Sequence, residues 1–334
     1  MNPDLAPNEV DLVSLLDQAL SESEALSVLE RLSTSRIDFE TLSLLHRLIS
    51  ERLSPDFPKN VQSEQWIDCC GTGGSGLPQH FNTSTMSAFI LAAGGLKVGK
   101  FGNRAASSRS GSFDFLGSVG IFPEKVSLSH FDSILKQSPV CFLFAPQCYP
   151  SLSALAPLRK KLGTRTLFND LGPLLNPLRP SHRLLGVSSE TMQPLLAQWL
   201  SQNDNTQEAL VVRAYSGLDE LSPTEINTLL WVRGSSIESS TYQGNLASLS
   251  NEPVQQPLSP EDNAALFFRL INGSDTASSY YEMLTLNAGA GLWVGQKANS
   301  LEEGQQLAKA LLGNGAVKAV YEACREVYHR VSTQ

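Results

Sequence analysis

Between Cys69 and Phe113, a stretch of 45 residues, the chain has no aspartate or glutamate. With 33 acidic residues in 334, a window of that length should hold about four. Other absences narrow the field further. No run of about 18 apolar residues occurs, so no membrane-spanning helix and no membrane partner are expected. The opening MNPDLAP has neither the basic region nor the apolar core of a secretory signal, and the expected location is cytoplasmic. The five cysteines are odd in number and irregular in spacing, which argues against a disulfide framework. The five histidines show no HxxxH or HExxH pattern, so no zinc site is expected. A net charge of -8 does not suit a general nucleic-acid binder, and no nucleic acid is expected as a partner.

The acid-free stretch is rich in groups that attract anions. It carries Lys97, Lys100, Arg104 and Arg109, ten serines or threonines and nine glycines. It opens with GTGGSG at 71–76, continues with FNTST at 81–85 and closes with GKFGNRAASSRSGS at 99–112. Backbone N–H groups in glycine turns, hydroxyls at a helix start and spaced bases are the parts of a phosphate or diphosphate cradle. Ser84 and Thr85 fall where a helix should begin, with the Asn82 amide beside them. Lys100 falls at a strand end, facing the region where α/β proteins bind ligands. Ser107, Ser108, Arg109 and Ser112 form a second donor-rich loop. GTGGSG also satisfies GxGxxG through Gly71, Gly73 and Gly76. A dinucleotide site, however, needs an acid about 20 residues on, at the end of the next strand. That strand ends in Lys100 with no acid in reach.

Two further pieces bear on this cradle. SGLDELS at 216–222 places Asp219 and Glu220 together just after a strand-like run, where two carboxylates can hold Mg2+ against a diphosphate. Alone, such a pair reads as a solvated turn. The segment 154–177 carries Arg159, Lys160, Lys161 and Arg165 before a turn at Gly172 and Pro173. One arginine there could meet a carboxylate in a bidentate contact, while others cover a basic helix surface.

The chain's organisation reads as α/β. Leu12, Leu15, Leu16, Ala19 and Leu20 follow helical spacing. Leu26, Leu29 and Leu32 mark a second helix. Phe39, Leu42, Leu45, Leu48 and Ile49 mark a third, capped by Asp38. SPDFPKNVQSEQ at 54–65 reads as a linker or hinge. Beyond it, strands at 66–70, 96–99, 140–145 and 209–214 alternate with helices, beginning with one near 84–94. A hairpin is expected over 229–243 and helices from Asp262 onward. This alternation predicts a mostly parallel central sheet.

GTGG-G, FN-ST, K-GNR--SS--GS-D, FLFAP--, R---G-RT-FN-LGPL-NP and GLDE-S, in this order, resemble the anthranilate phosphoribosyltransferase family. The resemblance runs over nearly the whole chain and implies a small helical N-terminal domain hinged to a larger α/β domain. The small domain would hold residues 1–63, with roughly 164–185 returning to it. The large domain would hold 64–163 and 186–334. A homodimer through the small domain is implied. So is phosphoribosyl diphosphate (PRPP) bound by Gly71, Thr72, Gly73, Gly74, Asn82, Ser84, Thr85, Lys100 and Ser112. Ser84, Asp219 and Glu220 would organise two Mg2+ ions. Arg159 would pair with the carboxylate of anthranilate. Asn103, Gly172, Phe101 and Tyr149 would border the acceptor pocket, and Arg104 would brace the loop. No residue is implied as a covalent nucleophile or general base.

Departures from the family pattern cluster in two places. Ser75 replaces an acid in the glycine loop. Phe101 and Tyr149 replace histidines on the acceptor side and make it more apolar. Transfer to another aromatic or heteroaromatic acceptor is therefore a second expectation. A non-enzymatic nucleic-acid-binding relative and a pyrimidine phosphorylase are weaker ones. The retained Asn82, Ser84, Thr85, Asp219 and Glu220 count against the former, and the LGPL-NP and GLDE motifs against the latter.

Overall fold

The computed structural model describes residues 6–33, 37–59, 61, 65–73, 81–105, 109–244 and 257–333. Three short helices open the chain: α1 (Glu9–Leu16), α2 (Glu22–Arg31) and α3 (Phe39–Ser50). Asn8, Ser21 and Asp38 cap them, each side chain accepting from a backbone N–H three residues on. The first helix stops at Leu16, short of Ala19 and Leu20, because Asp17 ends it and Gln18 takes a positive φ of 57°. On α2 the buried apolar residues are Ala25, Val28 and Leu29, while Leu26 is only partly covered.

A seven-stranded sheet forms the centre, in the order β3-β2-β1-β4-β5-β6-β7. Its strands are β1 (Trp66–Gly71), β2 (Lys97–Gly102), β3 (Val140–Phe144), β4 (His182–Gly186), β5 (Glu208–Ala214), β6 (Ile226–Arg233) and β7 (Ser236–Gln243). The first five run parallel, and β6 and β7 add an antiparallel hairpin. The expected strands, the hairpin and the C-terminal helices are all present. The strand β4 is an addition. It lies at the sheet centre between β1 and β5, so residues 182–185 belong to the sheet and not to a segment returning to the N-terminal helices. His182 and Arg183 disguise it in the sequence, yet all five of its residues are buried.

The helix α4 (Thr83–Ala93) links β1 to β2 and packs on both, and on the long helix Ser279–Val294. Both helices are apolar nearly all round, as helices buried on several sides must be. Phe89 on α4 meets Phe142, Phe267 and Tyr321. The N-terminal helices instead contact the stretch between β3 and β4. Leu167 N donates to Leu32 O at 2.8 Å, and Ser33 forms an isolated antiparallel bridge with Thr166.

His46 on α3 sits at this junction. Its Nε2 lies 3.2 Å from Leu174 O, and its ring centroid is 4.4 Å from that of Trp199. Burial, with the charges of Arg183 and Arg179 adding, lowers its pKa to about 4. Between pH 6.5 and 4 the unfolded chain binds this proton and the folded chain does not, so stability must fall as pH falls through that window. Full expression of the shift corresponds to about 3 kcal/mol. His46→Asn should flatten the difference: the gap in Tm between variant and wild type narrows from pH 7 to pH 4.5. A gap that is constant with pH contradicts this account of His46.

Candidate active site

In a sheet of this order the chain turns from β1 to β2 on one side and places β4 on the other. The crevice beyond the carboxyl ends of β1 and β4 is where such sheets bind ligands. The structure fills that crevice with the acid-free stretch. After Gly71 ends β1, Thr72 N donates to Gly186 O at 2.9 Å, tying the loop to the end of β4. Gly73 follows with φ of +63°, a conformation that glycine adopts without strain.

The Gly73 peptide is held at both ends. Its N–H donates to Asp219 Oδ2 at 2.7 Å. Its carbonyl accepts from Arg165 Nη1 at 2.6 Å and from Ser188 Oγ at 3.1 Å. Asp219 comes from the turn after β5, Ser188 from the turn after β4, and Arg165 from the segment that contacts the N-terminal helices. A Cβ at Gly71 would strike the Asp219 carboxylate and one at Gly186 the Asp219 backbone, so both strand ends must be glycine for the turn after β5 to lie across them.

Asp219 is 6% exposed, and burial raises its pKa. Burial first, and the Asp219 charge second, push Glu220 up to about 8. Asn287 on the helix Ser279–Val294 fixes the next residue: it accepts from Leu221 N and donates to Leu221 O, both at 2.9 Å. Ser84, Asp219 and Glu220 line one small cavity with Cys69, Ser87 and Asn287. Among the described residues no group of three or more His, Cys, Asp or Glu is placed to hold a metal alone. The set nevertheless fits Mg2+. The donors are hard oxygens, and Mg2+ keeps several waters and takes phosphate oxygens besides one or two carboxylates. A cation would also relieve the desolvation that holds both carboxyls high.

The start of α4 faces the same space. Asn82 is its N-cap, and its side chain exchanges hydrogen bonds with Ser110 instead of capping: Ser110 Oγ donates to Asn82 Oδ1 at 2.8 Å, and Asn82 Nδ2 donates to Ser110 O at 3.4 Å. Asn82 N is bonded to Asn263 Oδ1 at 2.8 Å. Lys100 is 2% exposed within β2, and its Nζ donates to Cys69 O at 2.8 Å and Ser84 Oγ at 3.2 Å. It reaches the site from beneath, through Ser84. Thr85 is fully buried in α4, and its N–H donates to Asn82 O at 3.1 Å. Ser112 starts the helix Ser112–Ser118 against Gly102. Arg104 pairs with Asp114 at 3.2 Å and Glu124 at 2.9 Å and braces the loop after β2. Gly74, Ser75, Gly76, Ser107 and Ser108 lie outside the described residues.

On the other side of the loop, Phe101 and Tyr149 meet edge to face, with ring centroids 6.1 Å apart. Both are buried, and Tyr149 Oη donates to Leu175 O at 2.9 Å. Asn103 follows them at the end of β2, its Oδ1 accepting from Arg104 N at 2.7 Å. The turn Gly172–Leu175 is pinned by Arg183, whose Nη1 donates to Pro173 O at 2.9 Å, and by Asn176, bonded to Asp68 and Gly99 O at 2.7 Å each. Arg159 lies over the Phe168 ring at 5.5 Å, and burial lowers its pKa. Among the described residues its guanidinium has no hydrogen-bond or ion-pair partner. Lys160 is exposed, and Lys161 pairs with Glu22. Arg165, Ser188, Asn263 and Asn287 are the site residues that motif reading did not single out for a role.

Residues 63–318 match the glycosyl transferase family, a/b domain. Anthranilate phosphoribosyltransferase of Synechococcus elongatus is 34% identical over 309 residues, 91% of this chain and 87% of that protein. Its counterpart from Petrotoga mobilis is 32% identical, covering 100% and 95%. The crystal structure of anthranilate phosphoribosyltransferase from Thermus thermophilus superposes with a TM-score of 0.84 at 30% identity, over 98% of this chain and 97% of that one. The Saccharomyces cerevisiae enzyme in complex with PRPP and Mg gives a TM-score of 0.82 at 25% identity, over 96% and 91%. With its glycine loop, helix start and paired carboxylates at one switch point, this chain belongs to the anthranilate phosphoribosyltransferase family.

Proposed function

We propose that the protein is a Mg2+-dependent pentosyltransferase that moves the phosphoribosyl group of PRPP to the amine of anthranilate, releasing diphosphate, a step of tryptophan biosynthesis. The observation that carries this reading is the convergence of Gly73, Ser84, Asp219 and Glu220 on one crevice. The backbone of Gly71, Thr72 and Gly73, with Asn82, Thr85, Ser112 and the Lys100-held Ser84, would bind the donor's phosphates. Bound at Ser84, Asp219 and Glu220, Mg2+ would supply positive charge to the departing diphosphate; the reading includes two such ions. The chain's own residues would hold the anomeric carbon and the attacking amine in line and exclude water. An arylamine is weakly basic and loses its proton readily once bonded to carbon, so no general base is needed. Arg159, partly buried and without a counter-ion among the described residues, suits the acceptor's carboxylate. Asn103, Gly172, Phe101 and Tyr149 would border its ring.

The apolar edge-to-face pair of Phe101 and Tyr149 favours a second reading, another aromatic acid or heteroaromatic acceptor in place of anthranilate. The same proposal makes residues 1–63 and 164–181 a helical unit hinged on the rest. Contacts of Leu32 and Ser33 with Leu167 and Thr166 support that grouping. It would dimerise through the N-terminal helices, where Val10 is 72% exposed. The chain would work in the cytoplasm; no helix among the described residues is long and apolar enough to cross a membrane.

Two outcomes test the assignment. Asp219→Asn with Glu220→Gln removes a buried like-charge pair, so the ligand-free variant should melt higher than wild type at pH 8 while turnover falls at least ~100-fold. Unchanged turnover at limiting Mg2+ sinks the metal assignment. Arg159→Ala should raise the acceptor's KM about 10- to 100-fold, the worth of a charge-assisted bidentate contact, with a much smaller effect on PRPP. Equal effects on both substrates would show that this arginine does not face the acceptor.

A further inference from the structure

The short turn Gly172–Leu175 is held by side chains from three parts of the chain, one on each of its last three carbonyls. Arg183 Nη1, from β4, donates to Pro173 O at 2.9 Å. His46 Nε2, from α3, lies 3.2 Å from Leu174 O. Tyr149 Oη, from the segment after β3, donates to Leu175 O at 2.9 Å. The final carbonyls of a helical turn lack partners within it, and Pro173, Leu174 and Leu175 are buried, so these donors set where the turn sits. The His46 ring, with its pKa lowered to about 4, is neutral near pH 7, and its Nε2–H form is the one that can donate to a carbonyl. Ser50 Oγ, 3.5 Å from the same nitrogen, is the weaker neighbour.

Satisfying a buried carbonyl is the ordinary reason for such a bond. Here the three donors divide in an informative way. Arg183 and Tyr149 hold the turn from the sheet side, and His46 holds it from the N-terminal helices. At the other end of the turn, a Cβ on Gly172 would meet nothing within 4 Å among the described residues, so the turn is anchored at its end and open at its start. Asn176, the residue after it, donates to Gly99 O in the strand that carries Phe101, and Phe101 packs edge to face on Tyr149. The turn is thereby tied to the ring pair that the proposed function gives to the acceptor. Resting on that function, we propose that His46 is a positioning residue for the acceptor: acting through Leu174 O, it fixes Gly172 where the acceptor's ring must lie. Without the His46 N–H, Leu174 O is left buried and unpaired and the turn is held from the sheet side alone.

The test is the pair of KM values, for anthranilate and for PRPP, measured with Tm on the same protein. His46→Phe keeps a ring beside Trp199 and removes the donor. It should raise the anthranilate KM about five-fold or more, the worth of one hydrogen bond, and leave the PRPP KM within about two-fold. His46→Gln returns an N–H near the Nε2 position and should bring the anthranilate KM back toward wild type. Tyr149→Phe removes only the hydroxyl on the neighbouring carbonyl and should raise the same constant. With both changes combined, the effect should be smaller than the product of the two, because either loss already frees the turn. A lower Tm in His46→Phe with both KM values unchanged overturns the proposal and makes His46 a packing residue only. So does an equal rise in both KM values, or a strictly multiplicative double variant. Absence of any turnover in wild type overturns the proposed function together with this role.

Discussion

The site depends on the peptide of Gly73. Three parts of the chain distant in sequence meet there: the carboxylate of Asp219 on the N–H, and Ser188 and Arg165 on the carbonyl. A charged partner on each end makes these bonds stronger than neutral ones. Asp219 occupies the Gly73 N–H, a donor that the proposed function would offer to the diphosphate. Gly73 is thus held by the same carboxylate that, in the proposed function, would hold the metal. Glycine at 71 leaves room for that carboxylate, and glycine at 186 leaves room for the Asp219 backbone.

Around this point the protein holds charge where burial makes it costly. Asp219 and Glu220 are neighbours, with carboxyls raised by burial, and among the described residues no cation neutralises both. Such strain persists only where the surroundings over-determine it. Asn287 locks the backbone beside Glu220, Lys100 approaches from below through Ser84, and Asp219 is bonded to Gly73. The arrangement suits the divalent cation and polyanion that the proposed transfer requires.

Much of this was legible from residue types, and the remainder was not for physical reasons. The loss of acids over 45 residues marks the anion-facing stretch because charge complementarity acts on composition. The strands with uninterrupted apolar runs were legible for the same reason that they are buried on both faces. The strand β4 was hidden because His182 and Arg183 read as surface residues. Arg183 is instead buried, its guanidinium bonded to Pro173 O. Ser188 comes just after that hidden strand and was lost with it. Asn287 carried a signal, the lone amide in a helix whose buried positions are nearly all apolar. Arg165 could not be told from Lys160 and Lys161 beside it, since only tertiary contact separates a clamp on Gly73 from a solvated base. The sequence pointed to Lys100 but could not show that it faces Ser84 and the Cys69 carbonyl from within the sheet.

Loss of anthranilate fluorescence on adding PRPP and Mg2+ to the pure protein tests the central claim most directly. The account predicts a steady decay that stops when Mg2+ is chelated, with one diphosphate released for each anthranilate consumed. No decay in protein shown to be folded would contradict it. Donor binding by calorimetry would then separate a different aromatic acceptor from a protein without transferase activity.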